Sequence, residues 1–334
     1  MKKRIILLLL VILLCLSGCR GEKAEEVSPT PPISPTATVK PTYPPYQTPS
    51  IEERLGTNLL KDCTFENGFN LLGMDAVVDG ALVHKTIQYG ESEPVWKIAQ
   101  WWGKYNLLDG EEINTDTQYQ ISDTQKSVSI DKESHSVTLS LDSTYNFEVS
   151  PSTAPSEWPH LLLEQAVDTS LSSFKDAKSI TAKLEFTVES TDDLRTNENG
   201  LNAQFAWFIY IVDTNPESEG YGNFLWFGLN LYCPPKNGGA GYSGQDTAGG
   251  PGNYIYSLPS SDIFIGSVKE GWPVKFELNI LPFVRKALEE AQENGFMMGT
   301  ELDDCSISGT NIGWEVFDRW DVSIKINEIG IYRK

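Results

Sequence analysis

Two alternating runs in the middle of the chain hold the side chains best suited to chemistry. In Gln204–Val212, Phe205, Trp207, Ile209 and Ile211 share one side, and Gln204, Ala206, Phe208 and Tyr210 the other. In Phe224–Tyr232, Leu225, Phe227, Leu229 and Leu231 alternate with Phe224, Trp226, Gly228, Asn230 and Tyr232. Neither run has a charged second side, so one side is expected to face an apolar core and the other something semi-polar. Rings set among amides suit a sugar: the apolar CH face stacks on the ring while hydroxyls pair with the amides. Trp226, Asn230, Tyr232, Tyr210 and Gln204 are the first candidates for such contacts. The competing reading places Trp226 and Tyr232 in the core or at an edge beneath a glycine-rich loop.

Two further clusters extend the set. In Val95–Tyr105, period two puts Trp96, Ile98, Gln100 and Trp102 on one side and Trp101 on the other. One of the paired tryptophans is expected in the core, with Trp102 beside Gln100 as the ligand contact. In Trp158–Gln165, His160, Leu162 and Glu164 share a side, and on a strand His160 and Glu164 stand ~13 Å apart, too far for a direct acid–base pair. They are the catalytic candidates if the protein is an enzyme; a Glu164 buried and balanced by a hydrogen bond is the simpler reading.

Retaining glycoside hydrolysis needs two carboxyls ~5 Å apart. The nearest local pair is Glu315 with Asp318, three apart and so on opposite faces of an extended strand. A lyase would need a Tyr or His base near a positive charge, and the chain has only His84, His135 and His160. No Ser/His/Asp or Cys/His signature is visible. Asp213, Asn215 and Glu217 (with Glu219) alternate like oxygen ligands for calcium, although Ser218 stands where a helix–loop–helix calcium loop needs glycine. A structural calcium ion is the one metal this pattern admits, and no other cofactor is expected. The seven glycines of Asn237–Asn253 lack the Gly-Lys-Ser/Thr ending of a phosphate loop and read as a rim over a groove.

The elements that must position these side chains are short strands. Ser179–Ser190, Val137–Leu141, Val274–Ile280 and Val322–Ile326 alternate apolar with polar residues, and Asn-, Gly-, Ser- and Asp-rich breaks separate them. One helix is predicted, opened by Pro282, carrying an apolar stripe of Phe283, Val284, Ala287, Leu288 and Ala291, and closed by Gly295. Strand and helix do not alternate, so the expected class is all-β: a large antiparallel β-sandwich with one short peripheral helix. Two smaller sandwiches dividing near Ser150, Pro151 and Pro155 are the alternative organisation.

Residues 1–18 combine a basic start (Lys2, Lys3, Arg4) with the apolar run Ile5–Leu14, about half the ~20 residues a spanning helix needs. The following Leu16, Ser17, Gly18 and Cys19 resemble the signal of bacterial lipoproteins. That resemblance implies cleavage before Cys19, lipidation of its thiol and a body held at the extracytoplasmic face or cell surface. Residues 28–50 hold eight prolines, five threonines and three serines, an extended polyproline-like composition. The expected organisation is signal peptide 1–18, lipid-anchored linker 19–55 and β-sandwich 56–334. The chain carries 46 acids against 26 bases; without the three bases of residues 1–18 the balance is 46 to 23. Such acidity repels phosphate backbones and excludes nucleic acid as a partner, and it argues against polyanionic substrates. Cys63, Cys233 and Cys305 stand at no metal-ligand spacing; free thiols are the default, with a Cys63–Cys305 disulfide as the alternative.

Asn58, Leu59, Leu60, Lys61, Phe65, Glu66, Asn67 and Gly68 resemble the opening strand of jelly-roll carbohydrate-binding modules, and Val322–Tyr332 is similar to their closing strand. The resemblance implies that first and last strands pair and that the partner is a glycan; the greater length of the middle suits a concanavalin-like sandwich. The leading expectation is a surface-tethered lipoprotein that binds carbohydrate without catalysis. A glycoside hydrolase or polysaccharide lyase of concanavalin-like fold is the first alternative, and an adhesion or structural protein the second.

Overall fold

The computed structural model describes residues 49–75, 82–147, 157–197, 201–236, 238–246 and 253–334. The expected signal peptide, Cys19, nearly all of the proline-rich stretch, the Ser150–Pro155 break and parts of the glycine-rich loop lie outside the described residues. Pro49–Lys334 forms one compact unit.

Two β-sheets make up this unit. The first contains β1 (Thr57–Asn58), β5 (Glu111–Asn114), β6 (Gln118–Ser122), β7 (Lys126–Asp131), β8 (Ser136–Asp142), β10 (Ile180–Asp193), β15 (Pro273–Asn279) and β17 (Trp320–Arg333). Its order is β15-β10-β17-β8-β7-β6-β5, with β1 added on β17. The second contains β2 (Gly68–Leu72), β3 (Val83–Gln88), β4 (Trp96–Ala99), β9 (His160–Ala166), β11 (Ala203–Asp213), β12 (Phe224–Tyr232), β13 (Tyr242–Gln245), β14 (Tyr254–Leu258) and β16 (Cys305–Val316). Its order is β13-β14-β12-β11-β16-β9-β4-β2-β3. The fold is therefore the expected β-sandwich. Pairing is antiparallel except between β12 and β14 and between β2 and β4. β8 pairs with β17 and β4 with β9, so segments before and after the proline break share both sheets and the body is one sandwich.

The predicted alternation is what closes the core. Ala182, Leu184, Phe186 and Val188 of β10 face inward against Phe205, Trp207, Ile209 and Ile211 of β11 and Leu225, Phe227 and Leu229 of β12, all essentially solvent-free. The outer face of the first sheet carries ion pairs instead: Lys183 with Glu328, and Lys275 with Glu185 at 3.0 Å and Glu328 at 3.1 Å. First and last strands pair as the resemblance implied, Thr57 opposite Arg333 and Asn58 opposite Tyr332. Asn58 Oδ1 accepts from the amides of Leu60 and Ile331, both at 3.2 Å, which ties the two ends of the body together.

Helix α1 (Ile51–Leu55) falls inside the segment assigned to the linker. A Ser50/Glu53 capping box starts it, and Lys334 Nζ donates to the Glu53 and Arg54 carbonyls. Helix α2 (Leu281–Glu293) buries Val284, Ala287, Leu288 and Ala291, the predicted stripe. It ends where Gly295 adopts φ +84°, a left-handed conformation suited to glycine, and the Phe296 amide reaches back to the Ala291 carbonyl at 2.8 Å. Free thiols, the default reading, are what the fold contains, and the alternative Cys63–Cys305 disulfide does not form: all three described cysteines are free. Cys63 accepts from Asn58 Nδ2 at 3.4 Å, and burial pushes the Cys305 thiol up to about 12.

Candidate functional site

The outward face of the second sheet differs from that of the first. Cross-strand register sets its side chains in rows. One row runs Gln204, Glu315, His160 across β11, β16 and β9; the next runs Ala206, Gly313, Leu162, Ala99 on into β4; a third runs Phe208, Asn311, Glu164, Lys97. Alternate residues of a strand share a face, so the small Ala206 and Gly313 floor a valley between two polar walls. Gly313 carries φ +159°, and a Cβ there would lie 2.2 Å from the Leu161 carbonyl oxygen, so the floor at this point admits only glycine. Trp101 packs on Leu72, Ala99 and Leu162 and closes one end.

In the first wall, Gln204 Nε2 donates to Glu315 Oε2 at 2.6 Å. His160 Nδ1 lies 2.7 Å from the Trp158 carbonyl, so Nδ1 carries the proton and Nε2 is left as an acceptor. Burial lowers the His160 pKa, keeping the ring neutral. Nε2 stands 3.7 Å from Glu315 Oε1, beyond a direct hydrogen bond, and two acceptors at that distance call for a donor between them. Trp102 and Trp101 flank the imidazole, with ring centroids 5.1 and 6.0 Å away. Trp102 holds φ +55°, an uncommon conformation for a bulky residue and one that concentrates at functional sites.

In the second wall, Glu164 Oε1 accepts from the Tyr210 hydroxyl at 3.3 Å. Burial outweighs that bond and the charge of Lys97, and raises the Glu164 carboxyl to about 7. Trp226 lies beyond it, half-buried rather than sealed, with the Tyr210, Phe224 and Phe208 rings at 4.6, 5.1 and 5.9 Å. Trp226 Nε1, Asn230 Oδ1, Asn311 Oδ1 and Trp101 Nε1 are buried polar atoms without a protein partner, and such atoms are rare unless water or a ligand completes them. Asn230 Nδ2 holds the glycine-rich segment through the Ala240 carbonyl at 3.0 Å. Part of that segment, predicted as loop, is the edge strand β13.

The face thus brings together Trp226, Asn230, Tyr210, Gln204, Trp102, His160 and Glu164. It leaves out two predicted contacts. Tyr232 turns into the core because a bulge sets it opposite Phe205 while Asn230 pairs with Ala206, so strict alternation fails at that step. Its hydroxyl meets Thr191 at 3.3 Å across the sandwich. Gln100 is fully buried, donates to the Leu72 carbonyl and Asn106 Oδ1 and accepts from the Leu107 amide; it fixes the turn behind Trp101. The calcium candidates do not converge either. Asp213 takes the Asn215 amide and the Ser218 hydroxyl, Asn215 Nδ2 bonds Asp304, and Glu217 points to solvent. Among the described residues no group of three or more His, Cys, Asp or Glu side chains is placed to hold a metal ion. Sequence reasoning missed Asn311, and it weighed Glu315 only against Asp318. Asp318 is buried and accepts from the Leu201 and Arg319 amides at 2.9 and 2.8 Å. The alternation of Asn311, Gly313 and Glu315 with Ile312, Trp314 and Val316 was the available signal.

No protein-family model matches the chain, and no curated protein sequence matches it. Among solved structures it is similar to a family 12 xyloglucanase from Bacillus licheniformis, at 12% identity over 67% of this chain and 97% of the other, with a TM-score of 0.39. The endoglucanase cel12A from Rhodothermus marinus gives 10% identity over 71% and 98%, with a TM-score of 0.37. The family 11 xylanase from Neocallimastix patriciarum gives 9% identity over 67% and 95%, with a TM-score of 0.34. Likenesses this distant assign no role to any residue of this chain.

Proposed function

We propose that the valley on the second sheet binds a neutral glycan chain, without cleaving it, in a protein tethered to the membrane through lipid on Cys19. One observation carries the reading. Buried polar atoms lacking partners, half-buried aromatic rings and a floor of small residues all lie on one sheet face, which is the chemistry of a pyranose contact.

The carboxyl geometry favours binding over hydrolysis. Directly across the strands, Glu315 faces an amide (Gln204) and an imidazole (His160), and Glu164 faces Asn311 and Lys97. Glu315 and Glu164 sit on neighbouring strands four residues apart in register, which puts their backbones ~14 Å apart. The Glu164 carboxylate is engaged by the Tyr210 hydroxyl. Glycosidase spacing of the carboxyls (~5–5.5 Å retaining, ~6.5–9.5 Å inverting) would require both side chains to turn toward each other, whereas here Glu315 is bonded to Gln204 and Glu164 to Tyr210. A second reading, hydrolysis with Glu164 as proton donor, is favoured by its carboxyl at about 7, the range of a working general acid.

The test is a glycan array combined with a reducing-end assay on the full chain. Retention without new reducing ends is expected, and Trp226→Ala should weaken retention about tenfold. New ends that vanish in Glu164→Gln would establish the hydrolytic reading instead. No retention of any neutral glycan, or retention untouched in Trp226→Ala, would overturn the site. For the anchor, Cys19→Ala is expected to move the protein from the membrane to the soluble fraction; an unchanged distribution would refute lipidation.

A further inference from the structure

A depression of about 250 Å³ lies where β9 leaves the second sheet, lined by Lys61, Lys97, Asp168 and Gln165 among the apolar side chains of Leu59, Val95, Val167 and Leu171. Two lysines on one small concavity stand out in a chain of net charge −20. Neither forms an ion pair among the described residues: Lys97 bears on Glu164, and Lys61 on Asp168, only through space. Three described lysines of the sheet faces are by contrast neutralised in contact, Lys183 by Glu328, Lys275 by Glu185, and Lys85 by Glu112 at 2.5 Å.

The frame around the two lysines is fixed. Gln165 bonds Lys61 from both ends of its amide, accepting from the Lys61 amide at 2.7 Å and donating to the Lys61 carbonyl at 2.9 Å. Lys97 is held in the sheet opposite Glu164, so its side chain lines the depression from beside the valley wall. Asp168 spends its carboxylate on Ser170, accepting from the amide at 2.9 Å and the hydroxyl at 2.7 Å.

We propose that this depression is a separate subsite for a single carboxylate carried on a sugar, a uronate unit or branch. Two ammonium groups against one carboxylate leave a net charge of one, which matches a monoanion and disfavours a divalent phosphate. Lysine supplies point charges rather than the planar fork that selects phosphate bidentately. The apolar lining suits a sugar ring, and the volume lies just under the ~300–1,000 Å³ of pockets that enclose drug-sized ligands, so one unit fits. A chain acidic overall repels a polyanion at long range, so the fitting ligand is a largely neutral glycan with isolated acidic units. The sugar part of this proposal rests on the carbohydrate reading of the neighbouring face; the charge part rests on the lysines alone.

The experiment is calorimetric titration of the full chain with D-glucuronate, D-glucose and acetate. Glucuronate is expected to bind saturably, glucose not at all, and acetate at least tenfold more weakly. The double substitution Lys61→Met and Lys97→Met keeps the apolar stems and should weaken glucuronate at least tenfold, while Lys61→Arg with Lys97→Arg keeps binding within threefold. Equal binding of glucuronate and glucose, acetate binding as tightly as glucuronate, or undiminished binding in the double Met variant would overturn the proposal. Neutral-glycan retention measured on Lys61→Met alone, which lies outside the valley rows, is expected unchanged and separates failure of this subsite from failure of the valley.

Discussion

Replacing Glu164 by glutamine probes the second wall through stability alone. Burial holds the Glu164 carboxyl at about 7 instead of the ordinary 4.5. A carboxyl raised in the folded state favours folding while protonated. Its contribution is therefore fully retained below about 4.5 and is lost as pH climbs through 7, because the unfolded chain ionises first. The full loss is about 3 kcal/mol at alkaline pH, with only about 1 kcal/mol of it reached at about pH 5. Glutamine has the same shape, keeps an oxygen for the Tyr210 hydroxyl and never ionises. Glu164→Gln should therefore stabilise the protein by about 2 kcal/mol more at about pH 8.5 than at about pH 5. In a body of this size that corresponds to a differential shift in Tm of roughly 4–5 °C. Urea unfolding of both proteins at the two pH values measures it. A stability difference that does not change with pH would show that the carboxyl is not desolvated, and the geometry assigned to the wall would fall with it.

Three further outcomes follow from the packing. Tyr232→Phe removes only the hydroxyl contact with Thr191 inside the sandwich, so it should cost about 1 kcal/mol in urea unfolding and leave glycan retention unchanged. Asn58→Ala strands the Leu60 and Ile331 amides and should cost about 1–3 kcal/mol, read in the same way. Alkylation under denaturing conditions without reductant should modify Cys63, Cys233 and Cys305 alike, and reductant should leave Tm unchanged.

How far the sequence disclosed this molecule depended on whether the deciding interaction was local. Alternation within β10, β11 and β9 is local, and it placed Phe205, Trp207, Leu161 and Leu163 in the core with Gln204, Tyr210, His160 and Glu164 on the other face. The helix was equally readable, because Pro282, the apolar stripe and Gly295 lie within its own span. Tyr232 was misplaced by a bulge, which inserts one residue into β12 and has no marker in that run. Gln100 was misplaced because β4 ends at Ala99 and the chain turns, which ends period two. Glu315 and Asn311 join His160 and Glu164 only through the β9–β16 register, a pairing across about 150 residues that no local spacing announces. Proximity in sequence offered Asp318 to Glu315; the sheet offered Gln204 and His160.

The most direct test of the account is the structure of the protein with a neutral oligosaccharide that it retains. The chain should run over Ala206 and Gly313, between the wall of Gln204, Glu315 and His160 and the wall of Asn311 and Glu164, with a hydroxyl or bridging water between His160 Nε2 and Glu315 Oε1 and a sugar face on the Trp226 ring. An oligosaccharide seated on the ion-paired face of the first sheet, or on the exposed Trp272 with the valley empty, would contradict it.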